Sequence, residues 1–466
     1  MQTSTKTMLP YAECRPSTRK QPSKWRSRCS VSNLLSMASL AINIAVNPMV
    51  LSSAQAQPQL PLLQQQTVAL PQPQIIHVFH WWNSASERKA IDTLANRLVQ
   101  ENIIWRDAVI PSGSGVGAGI VLKSRILAGN APEVAQLNGV MISEWANLGL
   151  LQELDALASA GKWDKLFFPT VWNLIQPNGH LVAVPLGIHR INTLFINRKI
   201  FLKYKISPPE TWDDFTKVGL LLKKNGITPL AQSSEPWQVS ALFETLLLSE
   251  SDGAFYHDAF VKKNPAAFND PHFYRALKRL RELKQFMALP LQEKSWTEVT
   301  RQLADGNAAM LVMGDWAKGE LNAWGIATDA GFSCIAVPHT DAYHLYDIDT
   351  LVMLENGTLS LAAQEKIAQI AVSPAIQTEY NQLKGSISTL RNADLSKMDS
   401  WSRASWKLFA RGSASQVPSL THRMATDDIS KDAIIAEIVR FFMDDTITIE
   451  DTQHRLASIV RSLPKL

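Results

Sequence analysis

From Ile75 onward the chain alternates short apolar runs with amphipathic helical stretches, and few architectures accept that pattern. Ile75–Trp81 (IIHVFHW) reads as a buried strand, and Glu87–Glu101 sets Ile91, Leu94, Ala95 and Leu98 on one helical face. Ser84 with Glu87 three residues later fits a capping box at the start of that helix. A second strand is expected around Trp105–Ile110, then a glycine-rich loop, a helix ending at Ala128-Gly129, and a third strand over Glu133–Leu137. Strand–helix–strand alternation of this kind predicts an α/β fold with a parallel sheet covered on both faces. The pattern continues with short strands at Leu181–Val184 and Thr193–Ile196, separated by a polar segment Gly187–Asn192. Thr211 with Asp214 caps a further helix, Ala308–Met313 and Leu351–Leu354 read as strands, and the last hundred residues are mainly helical, Ala433–Met443 among them. A chain of 466 residues exceeds what one domain usually needs. With no single obvious linker, it suits two lobes that share chain crossings.

The charge divides sharply along the chain. In total, 46 basic and 42 acidic residues give +4, but residues 1–56 hold seven of the basic and one of the acidic groups. The remainder carries 39 basic and 41 acidic residues, a net of −2, so the basic excess argues for no nucleic-acid partner. The cationic stretch precedes an apolar run, Leu34–Leu51, and then Ala54-Gln55-Ala56, a small-x-small site. This is the layout of a cleavable export signal with cleavage after Ala56. Asn43, Asn47 and Pro48 within the run disfavour a retained membrane anchor. The Pro/Gln-rich residues 57–74 are expected to be a disordered lead-in, and no later segment reaches membrane-spanning length. Cys14 and Cys29 lie in the leader and Cys334 alone follows it, which leaves no intrachain disulfide in the exported chain.

Motifs for several chemistries are missing. The loop Gly113–Gly119 has no Lys-Ser/Thr and fits the dinucleotide fingerprint loosely, so it reads as a surface turn. His77 and His80 fall on opposite faces of a strand, and no HExxH or paired-Cys spacing occurs, so neither a metal nor a cofactor is expected. There is no GxSxG elbow. Tryptophan is the informative residue, with 14 Trp against 7 Tyr. Trp105, Trp145, Trp163 and Trp212 read as core. Trp81, Trp82 and Trp316 instead sit where a strand breaks, the end at which α/β sheets bind ligands. An indole pairs an apolar face with a polar edge, which matches a sugar ring with a C–H face and a hydroxyl rim. A binding protein fits this, and so does an exported glycoside hydrolase or lyase, which would need two carboxylates flanking the scissile bond.

The segments HWWNSASE (80–87), ILAGNAPEVAQLNG (126–139), PPETWDDF (208–215), GITPLAQSSEPWQ (226–238), MGDWAKGE (313–320), YDIDTL (346–351), QLKGSIS (382–388) and PSLTHRMA (418–425) stand in this order along the chain. In them the chain resembles the extracellular solute-binding proteins of bacterial ABC sugar importers, most closely the glucose/mannose-binding branch. The resemblance implies a two-lobed periplasmic binding protein fold of type II, each lobe a mostly parallel sheet flanked by helices, with a hinge between them. It places lobe 1 at 75–185 plus 340–388 and lobe 2 at 186–339 plus 389–466. It implies no catalysis and a monosaccharide ligand held between the lobes of a monomer in the periplasm. The expected partners are the permease subunits of an inner-membrane importer. The family's contact positions fall on Trp81, Trp82, Glu87, Trp316, Asp349, Lys384 and His422, with Gln136, His189 and Trp237 as neighbours. The chain departs from close relatives at Asn138, Asp347 and Ser388, where they often carry Lys, Asn and Pro. If Asn138 and Asp347 face the cleft, the site is two charge units more negative. That puts glucose specificity in question and points to another monosaccharide or an amino sugar.

Overall fold

A computed structural model describes residues 72–110, 117–355 and 359–464. The leader 1–56, the lead-in up to residue 71 and most of the glycine-rich loop lie outside the described residues. Ten strands follow in chain order: β1 (Gln74–His80), β2 (Ile103–Val109), β3 (Val134–Gln136), β4 (Val184–Arg190), β5 (Thr193–Asn197), β6 (Thr228–Ala231), β7 (Ala308–Met313), β8 (Phe332–Ala336), β9 (His344–Met353) and β10 (Gln416–Pro418). They form a six-stranded sheet in the order β10-β9-β3-β1-β2, with β4 also on β9, and a four-stranded sheet in the order β6-β7-β5-β8.

Both anticipated capping boxes are formed. The Ser84 hydroxyl accepts from the Glu87 N–H while the Glu87 carboxylate accepts from the Ser84 N–H, opening the helix Ala85–Val99. Thr211 and Asp214 do the same for the helix Trp212–Lys224. Each box satisfies two backbone donors that a helix start otherwise leaves unpaired.

The first sheet contains the expected parallel pairs β1–β2 and β1–β3, and β10 runs parallel to β9. The second sheet departs from the expectation of mostly parallel pairing. Only β6–β7 is parallel, whereas β5 is antiparallel to both β7 and β8. β5 enters this sheet directly from the first one, through the two-residue turn Ile191-Asn192 after β4, and runs against both of its neighbours. The polar segment expected to separate two strands at Gly187–Asn192 is also different. Gly187–Arg190 continues β4, whose residues are all buried, and only Ile191-Asn192 makes the turn. His189 and Arg190 conceal a strand because the fold satisfies them inside the protein, His189 between Asp315 and Asp349 and Arg190 on the Tyr343 carbonyl, the Asn192 amide oxygen and the Trp401 ring.

Two apolar cores flank these sheets. One gathers Ile76–Ile188 with Ile348–Leu390 and Phe409, and the other gathers Ile191–Leu345 with Val417–Val460. The chain passes between cores at the β4–β5 turn, within β9, and before β10. Of the four Trp read as core, Trp145, Trp163 and Trp212 are buried. Trp105 is half-buried, its indole N–H donating to Asp107 at 2.7 Å. No helix among the described residues is long and apolar enough to cross a membrane.

Candidate functional site

β1 and β3 run parallel, and their C-terminal ends present Trp81-Trp82 and Asn138 to one cavity. From β9, Asp347 and Asp349 stand two residues apart, so both side chains point to the same face. The helix Pro374–Lys384 delivers Lys384 at its last position, stopped by Gly385 at φ 95°. From the other core, Asp315 and Trp316 follow the end of β7 and open the helix Trp316–Ala323, the helix Pro236–Glu250 supplies Trp237, and the segment after β10 supplies His422. His189 reaches in from β4. The cavity is lined by Trp81, Trp82, Glu87, Asn138, His189, Trp237, Trp316, Asp347, Asp349, Lys384 and His422, together with Trp296 and Arg423.

Every primary candidate from the sequence therefore lines one cavity. Gln136 does not line it. It stands behind the wall, its Oε1 accepting from the Trp81 N–H at 3.3 Å and its Nε2 donating to Asp349 at 3.0 Å. Trp296 and Arg423 were missed, although Ser295 and Glu298 have capping-box spacing and Arg423 adjoins His422. Asp315 and Glu320, in the stretch MGDWAKGE, were also missed, and both organise the walls.

The polar wall is a buried network of alternating charge. Lys384 donates to Glu87 at 3.0 Å and lies 3.7 Å from Asp349. Glu87 thus serves twice: Oε2 caps its helix and Oε1 holds Lys384. Lys384 is 4% exposed, which excludes a solvent-facing role at its turn. His189 sits between two carboxylates, Nδ1 2.5 Å from Asp315 and Nε2 3.2 Å from Asp349, so both ring nitrogens donate. Burial alone would depress its pKa, but Asp315 and Asp349 outweigh burial and the opposing Lys384, and it is raised to about 9. Asp349 is shifted the other way. Burial would raise it, yet Lys384 and His189 hold it well below the usual carboxylate range. Asp347 has neither cation at contact distance. Burial, then the adjacent Asp349, push it up to about 7. The Asn138 Nδ2 bridges the pair, 3.2 Å from Asp347 Oδ1 and 3.2 Å from Asp349 Oδ1.

The aromatic wall faces this network. Trp316 has its ring centroid 5.4 Å from His189, 5.3 Å from His422 and 6.1 Å from Trp237. Burial, with His189 and Arg423 nearby, lowers His422 to about 3, so it is a neutral imidazole. Its Nδ1 lies 2.9 Å from the Ser419 hydroxyl.

Glu244 fixes the segment that carries His422. It accepts from Ser419 Oγ at 2.8 Å, the Leu420 N–H at 2.7 Å and Tyr256 OH at 2.7 Å. Burial raises this carboxyl to about 7 despite these donors. A raised acid holds its proton more tightly in the folded chain, so it contributes stability that is full below about 4.5 and lost as pH rises through about 7. Relative to Glu244→Gln, the native protein should therefore lose roughly 2–3 kcal/mol between pH 5 and pH 8. Urea midpoints at the two pH values measure this, and parallel pH profiles for the two proteins would refute it.

The walls come from different cores and touch. Glu320 accepts from the Ser86 N–H at 2.8 Å and the Ala85 N–H at 3.3 Å, a carboxylate against the positive end of a helix. The Val140 N–H donates to the Arg423 carbonyl at 3.0 Å. The cavity they enclose is narrow, about 40 Å³, room for roughly three waters at ~10–15 Å³ each. Away from it, Glu153, Asp155 and His180 form an exposed cluster whose members pair with one another.

The fold is the α/β architecture of type II binding proteins. The bacterial solute receptor AcbH, described as having an exclusive preference for β-D-galactopyranose, superposes with a TM-score of 0.72 at 16% identity, covering 83% of this chain and 98% of that one. RafE in complex with raffinose gives a TM-score of 0.65 at 16% identity, covering 83% and 98%. Residues 90–356 match the family model of bacterial extracellular solute-binding proteins, and the chain belongs to that family. Its similarity to curated relatives is extensive. A probable sugar-binding periplasmic protein of Rhizobium meliloti (strain 1021) is 29% identical over 386 residues, 82% of this chain and 93% of the relative. One of Brucella melitensis biotype 1 is 32% identical over 313 residues, 67% and 74%. Members of this family are binding proteins, not enzymes, which removes the hydrolase alternative.

Proposed function

We propose that this chain is the periplasmic receptor of an ABC importer, capturing a glucose-like hexose or related monosaccharide between two lobes. The observation that carries this reading is one cavity walled on one side by Trp316, Trp237 and His422 and on the other by Glu87, Asp349, Lys384 and His189. An aromatic face opposite charged hydrogen-bonding groups matches the two faces of a pyranose. The relatives described as sugar-binding periplasmic proteins support it. The same reading includes export by the leader, with cleavage after Ala56, and action as a monomer that docks on the permease subunits of the inner membrane.

The two walls already touch across the cavity, so in this reading the rims separate for a pyranose to enter. The lobes meet at the β4–β5 turn and within β9, and rotation there moves the two walls apart. Ligand contacts to both walls then select the closed state. Calorimetric titration with glucose, mannose, galactose and xylose is expected to show one-to-one binding, with compaction in solution scattering on adding the bound sugar. A folded protein that binds none of them and no amino sugar would overturn the reading.

A further inference from the structure

Among the described residues the indole N–H groups of Trp82 and Trp237 have no hydrogen-bond partner, and one corner of the polar wall is left unsatisfied on the acceptor side. Asp315 and Asp349 both contact His189, Glu87 contacts Lys384, and Glu320 holds two backbone N–H groups. Asp347 is 4% exposed, and among the described residues it has no cation within ion-pair distance. Its hydrogen bonds come from one donor group, the Asn138 amide, which also serves Asp349. The other side of that amide, Asn138 Oδ1, is buried without a hydrogen-bond partner among the described residues. With Asp347 ionised, the unused capacity of the corner is acceptor-only: a carboxylate and an amide oxygen, side by side.

The charge count agrees. Glu87, Asp315 and Asp349 already share the two cations His189 and Lys384 at this wall, and Arg423, the other cation in the lining, is paired with Asp428, so an ionised Asp347 has no counter-charge of its own among the described residues. A hydroxyl can pair with Asp347 but supplies no counter-charge, so it leaves Asp347 protonated or, if ionised, a buried carboxylate beside another. An ammonium is donor-only, with three protons to share, and it supplies that counter-charge.

We propose that the ligand is an amino sugar whose ammonium binds between Asp347 and Asn138 Oδ1. This rests on the sugar-receptor reading above and narrows it to a cationic class. The pyranose face lies on the Trp316 side, and Lys384, Glu87 and His189 read the remaining hydroxyls. Asn138 is then a specificity residue, because its amide orients the carboxylate while its oxygen accepts from the ligand.

Proton release gives this inference its own signature. Asp347 faces Asp349 on its own strand, His189 on β4, Lys384 on the helix Pro374–Lys384, and His422 and Arg423 across the cavity. Asp349 is held ionised, His189 is raised to about 9 and His422 lowered to about 3, so none of these three changes charge near pH 6. Asp347, raised to about 7, is mostly protonated there and must ionise to take an ammonium. Binding of the cation at pH 6 is expected to release close to one proton.

The experiment is calorimetric titration of the full mature chain at pH 6 in buffers of differing ionisation enthalpy. The probes are glucosamine, galactosamine and mannosamine hydrochlorides, their parent hexoses, and N-acetylglucosamine. The expected result is that one amino sugar binds at least ten-fold tighter than its parent hexose and releases a proton. Asp347→Asn should abolish both the preference and the release while retaining the thermal midpoint or raising it. A hexose bound as tightly as its amino analogue, or amino-sugar binding unchanged in Asp347→Asn, would overturn the inference and leave the receptor reading standing. A folded protein that binds no sugar in the set would overturn both.

Discussion

Replacing Lys384 by methionine is expected to cost about 3–5 kcal/mol of folding stability and to abolish sugar binding. Its ammonium is the centre of the polar wall, 3.0 Å from Glu87 and 3.7 Å from Asp349, and 4% exposed. Methionine keeps the length and fills the space, so the loss is electrostatic. Glu87 would be left a buried carboxylate with only its capping N–H donors, and Asp349 would share the single cation His189 with Asp315. Desolvation that the pair had offset would then weigh against the fold. A second change, Glu87→Gln, removes one of the stranded charges and should recover part of the stability. Urea midpoints of the four proteins form the cycle that measures the coupling. A single-variant loss under about 1 kcal/mol, the range of exposed pairs, would mean that the wall is solvated in solution.

Alanine at Gly319 is expected to separate binding from stability. Gly319 lies in the helix Trp316–Ala323 of one core and packs against the end of the helix Pro374–Lys384 of the other. A Cβ there would meet the Lys384 carbonyl oxygen at 2.4 Å and the Leu383 carbonyl oxygen at 2.6 Å. Both atoms are backbone, so neither can turn aside, and the walls would have to stay apart. Within its own helix the same change favours folding by roughly 0.8–1 kcal/mol. The variant should thus unfold no earlier than the native chain, yet bind its sugar about 10–100-fold more weakly, because the closed state that holds ligand becomes rare. Solution scattering should show the ligand-dependent compaction reduced or lost. Undiminished affinity with normal compaction would show that this contact is not part of closure.

How far the chain could be read before its structure was known depends on the distance over which each feature is determined. The capping boxes Ser84–Glu87 and Thr211–Asp214 were legible because their partners are three residues apart. The strand Ala308–Met313 was legible because a run of apolar residues before Gly314 admits little else. The extent of β4 was not, since Gly187–Arg190 has the composition of a loop, and its partners Asp315 and Asn192 satisfy it only in the fold. Only the apolar end of β9 signals a strand, although the strand has ten residues, because Asp347 and Asp349 near its middle serve the site and break the apolar run. The tryptophans at the strand ends pointed to the cleft from their local setting. Asp315 and Glu320 lay in the same quoted stretch and went unnoticed, because a carboxylate's partner has no signature in its neighbours.

The sequence by itself determined the layered α/β architecture, the places where helices begin, and the families of side chain brought to the strand ends. These follow from burial periodicity and from hydrogen bonds that close within one turn. Tertiary structure alone decided which charges meet. His189 is joined to Asp315 across 126 residues, Gln136 to Asp349 across 213, and Lys384 to Glu87 across 297. It also decided that, among the described residues, no cation lies within ion-pair distance of Asp347. An ion pair in a low-dielectric interior is set by a few ångströms of separation, a length the chain defines only after both cores have packed.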